Sequence, residues 1–183
     1  MRAPQAQAMR LITVWISVLC LLQACAVSRN AVTVNETVML RMANPNVTNR
    51  YSATILAGGN RITGILVVKR MNATWRGSLL NEFGVKMFDF ISTPEKCSIL
   101  NIAPVIDKWY IKKILAADFH LLFAVDEPSS KVYRHSTRSV EQDALLIKAH
   151  SQTIQRFPNG EVRLQNKRKI TYHFIKIEDE TSR

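Results

Sequence analysis

Four histidines, three cysteines and 14 acidic residues are the side chains of this 183-residue sequence with a capacity for acid–base, nucleophilic or metal chemistry. Their spacing argues against most of it. His120 sits in a helical pattern without the His-Glu-x-x-His partner that a zinc protease needs to set two imidazoles and a base on one helix face. His135, His150 and His173 stand apart from it and from one another. The chain has no Gly-x-Ser-x-Gly elbow, no Cys-x-x-Cys pair, no P-loop and no Gly-x-Gly-x-x-Gly turn. Asp118 or Asp126 beside a histidine would make an acid–base couple, but pairs of this kind arise by chance. Cys97 lacks the surroundings of a cysteine-protease nucleophile and reads as a small apolar residue buried in a strand. The expectation is a protein that is not an enzyme and has neither catalytic residues, metal nor cofactor.

The cysteine whose position points to chemistry is Cys25. Arg2 and Arg10 are the only charges in the first 25 residues, no acid appears before Glu36, and Leu11 to Leu22 is an almost purely apolar run. A run of about 12 residues is too short to span a bilayer, which takes about 20. A positive end, a short apolar run and small residues after it read as a secretory signal. The run ends in Leu22-Gln23-Ala24-Cys25, which looks like a bacterial lipobox, with Gln23 in the place of the usual small residue. Cleavage before Cys25 and acylation of its thiol, with palmitate-type chains, would hold the protein on a membrane. Each buried methylene contributes about 0.8 kcal/mol. The expected organisation is a signal peptide at 1–24, a lipidated tether at 25–48 and one domain at 49–183. The absence of acidic residues just after Cys25 favours the outer membrane, facing the periplasm. The Asn-x-Thr triplets at Asn35, Asn46 and Asn72 are then chance occurrences.

Composition bounds the rest. Hydrophobic residues make up 47%, and six Gly with six Pro exclude a collagen-like or low-complexity chain. Loss of Arg2 and Arg10 with the signal lowers the formal charge from +11 to +9.

The elements that would position any site follow from periodicity. Tyr51, Ala53, Ile55 and Ala57 alternate on one face of a strand, and Gly58-Gly59-Asn60 turns it back. Arg61 to Arg70 is the return strand, with Gly64 marking a bend or bulge. Thr74 to Glu82, Val85 to Ser92 and Lys96 to Ile102 continue a five-strand meander. Phe88 and Phe90 face one way, and Val85, Met87 and Ile91 the other. From Lys108 to Phe123, Ile111, Ile114, Leu115, Phe119, Leu122 and Phe123 recur at three- and four-residue steps. That is the apolar stripe of a helix, with Asp107 as its expected cap. Strands follow at Lys131 to His135, Ala144 to His150, Thr153 to Arg156, Glu161 to Gln165 and Lys169 to Glu178. Apolar residues on both sides of the last strand predict cover on both faces.

The stretch Thr74-Trp75-Arg76-Gly77-Ser78-Leu79-Leu80-Asn81-Glu82-Phe83-Gly84-Val85-Lys86-Met87-Phe88-Asp89-Phe90 resembles the central hairpin of the LolB family, outer-membrane lipoproteins that receive other lipoproteins from the carrier LolA. The hairpin Tyr51 to Met71 and the closing strands Pro158 to Ile177 match by position. The resemblance implies a mainly β fold with short helices: a half-open antiparallel β-barrel of LolA/LolB type, covered by an amphipathic helix over a cavity for acyl chains. Two departures stand out. Glu82 replaces the turn's proline, and Phe83 stands where the family has a protruding leucine. By this resemblance Phe83 is a tip that meets membrane or cargo.

Trp75, Leu79, Phe88, Phe90, Trp109, Ile114, Phe119, Tyr172 and Phe174 are the candidates to line such a cavity, or else ordinary core. Two functions follow. One is an outer-membrane lipoprotein that binds lipid or lipoprotein acyl chains, with the inner leaflet of the outer membrane and a periplasmic carrier as partners. The other is an accessory lipoprotein of an envelope complex with a filled core. The basic groups at Lys108, Lys112 and Lys113 and at Arg163, Lys167, Arg168 and Lys169 suit anionic lipid head groups or a solvated face, and nucleic acid is not an expected partner.

Overall fold

A computed structural model describes residues 42–141 and 143–177; the signal segment, Cys25 and most of the tether lie outside the described residues. The chain first builds a meander of β1 (Asn49–Ala57), β2 (Asn60–Met71), β3 (Thr74–Asn81), β4 (Lys86–Ser92) and β5 (Cys97–Leu100). A 3-10 turn at Pro104–Ile106 leads into α1 (Trp109–Ala124) and the short α2 (Lys131–Arg134). A second meander follows: β6 (Thr137–Glu141), β7 (Ala144–Ala149), β8 (Gln152–Arg156), β9 (Glu161–Asn166) and β10 (Thr171–Lys176). The two meanders join where β10 pairs antiparallel with β1, from Tyr51↔Lys176 to Leu56↔Thr171. The result is one ten-stranded antiparallel sheet in the order β5-β4-β3-β2-β1-β10-β9-β8-β7-β6. The sheet is not closed, since β5 and β6 are its edges. No helix among the described residues is long and apolar enough to cross a membrane.

The sheet wraps α1. Phe119, in the middle of the helix, touches Phe88 and Phe90 on β4 at ring-centroid distances of 5.2 and 4.9 Å. It also touches Tyr172 and Phe174 on β10 at 6.2 and 6.4 Å. Four strand-to-strand steps separate β4 from β10, about 19 Å in a flat sheet. One ring meets both strands only because the sheet curls round the helix. Gly64 and Gly77 allow that curl. A methyl group on Gly64 would lie 1.8 Å from the carbonyl oxygen of Leu80, and one on Gly77 would lie 2.5 Å from the Phe90 ring.

Local physics moves four expectations. The segment Lys131–Arg134 is a helical turn rather than a strand, because the Ser130 hydroxyl accepts a hydrogen bond from the Val132 amide at 3.1 Å and caps it. The strand begins later, at Thr137. Asp107 does not cap α1: Lys108 holds the N-cap position without a side-chain bond, and Asp107 pairs with Lys112 at 2.7 Å. Met87 turns inward beside Phe88 instead of outward. The ladder jumps from Leu79↔Phe88 to Leu80↔Lys86, so Met87 is the extra residue of a bulge. The outer side of β10 is uncovered, with Ile175 and Ile177 exposed. Packing also starts ahead of Asn49. Met42 and Ala43 are buried in the core, and the Asn49 amide donates to the Asn44 and Val47 carbonyls at 2.7 and 3.0 Å.

The C-terminal end of α1 is fixed by cations at its free carbonyls, as the helix dipole favours. Arg156, fully buried on β8, donates to the Leu122 carbonyl at 3.3 Å and to Asp126 at 2.7 Å. Arg138 donates to the Val125 carbonyl at 2.7 Å.

Candidate functional site

Aromatic rings fill one half of the space inside the curled sheet. Phe123 stacks on Phe90 at 5.2 Å and meets Trp75 at 5.5 Å, and Phe119 closes on Phe88, Phe90, Tyr172 and Phe174. Towards its N-terminus α1 carries Ile111, Ile114 and Leu115 instead. These aliphatic side chains do not reach across, and a cavity of about 680 Å³ remains between them and the sheet. Ile55, Ile62, Leu79, Met87 and Phe88 form its sheet wall. Ile106, Ile111, Ile114 and Leu115 form its helix wall, and Tyr110 and Arg168 stand at its edge. Gly58 and Asn60 also border it, which puts it at the sheet end that carries the β1–β2 turn.

The candidates read from the sequence divide three ways. Leu79, Phe88, Ile114 and Tyr172 border the cavity. Trp75, Phe90, Phe119 and Phe174 are buried in the packed half and fill space there. Trp109 is 76% exposed. It lies two residues before Ile111, about 200° round the helix from the apolar stripe. Sequence reasoning missed Met87, whose inward turn depends on the bulge, and Ile106, which precedes the helix. It also missed Ile55, Ile62 and Ile111 as cavity walls, although it had placed Ile55 and Ile111 on apolar faces. The signal was that the apolar stripe of α1 is aliphatic, at Ile111, Ile114 and Leu115, before it turns aromatic at Phe119.

Phe83 projects from the tip of the β3–β4 hairpin and is 81% exposed. The turn that presents it is well held: Asn81 Oδ1 accepts from the Phe83 and Val85 amides at 3.0 and 2.8 Å, and Gly84 takes a positive φ of 76°. In an antiparallel meander the β1–β2 and β3–β4 turns share one end of the sheet, so Phe83 lies at the cavity's end. Val105, Trp109 and Val85 are exposed there too.

Beside the cavity the chemistry becomes polar. A second hollow of about 250 Å³ is bordered by Lys113, Lys167, Arg168 and His150, with Asp118 at its base. Asp118 is buried and accepts three hydrogen bonds: Tyr172 Oη at 2.6 Å and Asn166 Nδ2 at 2.8 Å on Oδ2, and Gln152 Nε2 on Oδ1. Burial pushes its pKa above the ordinary aspartate value, against the lowering effect of those donors. Burial and the neighbouring Asp118 charge push the Tyr172 phenol up as well. A third hollow of about 420 Å³ is bordered by His120, His135 and His150. Main-chain carbonyls take up two of these rings: His120 Nε2 lies 3.3 Å from the Pro94 oxygen and His135 Nδ1 2.8 Å from the Lys131 oxygen. No group of three potential metal ligands occurs among the described residues.

Neither carboxylate considered for acid–base work is hydrogen-bonded to a histidine among the described residues: Asp118 is held by Tyr172, Asn166 and Gln152, and Asp126 pairs with Arg156. The His–carboxylate contact that does form, His173 Nε2 to Glu161 at 2.8 Å, lies on neighbouring strands away from these hollows. Cys97 is half-buried, and burial pushes its thiol up to about 12, well out of the range of a neutral-pH nucleophile. The chain matches no family model and no curated protein sequence.

Proposed function

We propose that this protein is an envelope lipoprotein that takes acyl chains into the apolar end of its curled sheet, as an acceptor or carrier of the LolB kind with the half-open barrel of the LolA/LolB fold. The observation that carries the reading is the cavity of about 680 Å³, walled by aliphatic side chains and open at one end of the sheet. Its volume falls within the 300–1,000 Å³ of small-molecule sites, and its walls offer an acyl chain about 0.8 kcal/mol per methylene buried. Acylated Cys25 would hold the domain at the periplasmic face of the outer membrane. Phe83, at the cavity's end, would touch the bilayer or the acyl chains of a lipoprotein handed over by a periplasmic carrier.

A fluorescent fatty-acyl probe tests the reading. Saturable binding is expected, and Ile114→Glu, on the helix wall, should abolish it while the far-ultraviolet circular dichroism stays unchanged. Lack of saturable binding by the unaltered chain would favour the accessory-subunit reading. Anchoring is tested separately. Cys25→Ser should release the protein from membranes, whereas retention in the membrane, with no acyl label on the unaltered chain, would exclude lipidation.

A further inference from the structure

We infer that the ligand of the apolar cavity is an anionic amphiphile with a phosphate-type head group, and that this head group sits in the adjacent basic hollow. The inference rests on the acyl-chain reading of the cavity and adds the chemistry of the other end of the ligand. Ile114 and Arg168 border both spaces, so a molecule with its tail against Ile114 has its polar end beside Arg168.

The charges of the hollow are unbalanced. Lys113, Lys167 and Arg168 are exposed around it. None of the three forms an ion pair among the described residues, although their neighbours do: Lys112 with Asp107 at 2.7 Å, and Lys86 with Asp89 at 3.1 Å. Three like charges around one small space repel one another, and a multiply charged anion relieves that repulsion. The acid in the hollow, Asp118, does not relieve it by contact. Both its oxygens are turned to Tyr172, Asn166 and Gln152, and its charge acts on Arg168 only through space. His150 is the remaining titratable group at the rim.

The same network explains how Arg168 is aimed. Asn166 is bonded to Asp118 through Nδ2, and its Oδ1 accepts from the Arg168 and Ile170 amides at 2.9 and 3.1 Å. Its carbonyl accepts from Lys169, which takes a positive φ of 60°. Asp118 is thus a positioning residue, holding the turn that presents Arg168 and Lys167. A planar guanidinium flanked by two ammonium groups matches the several oxygens of a phosphate better than the two of a carboxylate.

The test uses the full chain in a lipid-free amphipol and compares lysophosphatidylglycerol with monoacylglycerol of the same chain length and with inorganic phosphate. Lysophosphatidylglycerol should bind at least ten times more tightly than monoacylglycerol. The double variant Lys113→Ala with Arg168→Ala should bring the two to parity, chiefly by weakening the charged ligand. Both substitutions are at exposed positions, and thermal melting checks that the fold is intact. Equal binding of the two lipids by the unaltered chain, or a preference that survives the double variant, would overturn the head-group inference and leave the cavity reading standing. Binding of neither lipid would overturn both. Inorganic phosphate that binds in the hollow while the two lipids bind alike would show a free-anion site instead.

Discussion

Asp118 illustrates how a single buried acid is made tolerable. A carboxylate in a dry interior is costly unless its lone pairs are satisfied, and three neutral donors satisfy these. Because burial raises its folded pKa above the ordinary value of 3.8, the folded state keeps a proton that the unfolded chain has lost. Stability should therefore fall as pH rises from about 3.8 through the raised folded value. Asp89 and Glu161 work the other way. Burial raises their pKa, but hydrogen bonds outweigh it, from Asn101, Ser78 and Lys86 in the first case and from His173 and Arg163 in the second. Their contribution is lost as pH falls. Asp118→Asn should flatten the falling limb, with little change in the fold if Gln152 flips its amide to accept. Asp118→Ala should cost several kcal/mol, at about 1–3 kcal/mol for each stranded donor. Urea melts of the three proteins at a series of pH values measure both effects. At Phe83, exposure leaves little to lose on folding, so Phe83→Glu should shift the melting temperature by less than about 2 °C, in keeping with surface substitutions within ±0.5 kcal/mol. It should weaken association with phosphatidylglycerol vesicles in a flotation assay. A large drop in melting temperature would mean that the ring is part of the packing.

At the scale of elements, Gly64 is a strict requirement. A Cβ there would meet the Leu80 carbonyl, a backbone atom that has no way to rotate aside. Gly→Ala in a strand usually adds stability by stiffening the unfolded chain, but Gly64→Ala should remove several kcal/mol, read as a fall in the urea midpoint. An isolated glycine in a β-branched run marked Gly64 as special in the sequence, but what it marks is the close approach of the Leu80 carbonyl, and the ladder register runs unbroken through it. The meander from Tyr51 to Ser92 and the stripe of α1 were legible because period and turn residues agree along those segments. The short α2 was not. Val132 and Tyr133 carry a strand signal, and only the Ser130 cap overrides it. Met87 was not legible either, because a bulge changes which face a residue takes and leaves no mark in the alternation. Among the nine cavity candidates, apolar character marked seven buried side chains, while Ile114 is half-buried and Trp109 is exposed. It did not separate side chains that fill space from those that border a hollow. That distinction depends on whether Phe or Ile faces a given stretch of sheet, which is a matter of three-dimensional register.

Over the described domain, the arrangement is a sheet curled about one helix, packed with rings at one end and hollow at the other, with exposed apolar residues and cations that have no ion-pair partner among the described residues at the hollow end. The packed end supplies rigidity, and the hollow end supplies the candidate site. The join between the meanders has a consequence for how the molecule comes into being. β1 and β10 are bonded from Tyr51↔Lys176 onward, so the first strand finds its second partner only when the last has been made. Pairing across such a sequence distance is slow, since the entropy of closing the loop is lost before any contact repays it. A chain ending before Thr171 should lack a cooperative unfolding transition and be digested quickly by protease, because Tyr51, Ala53 and Ile55 would lose their cover from Tyr172 and Phe174. As the chain is delivered from its N-terminal end, β1 to β5 and α1 come first, as a half-molecule with one flank of β1 bare. That flank stays open to chaperones, or to mispairing with a neighbour, until the final strand arrives.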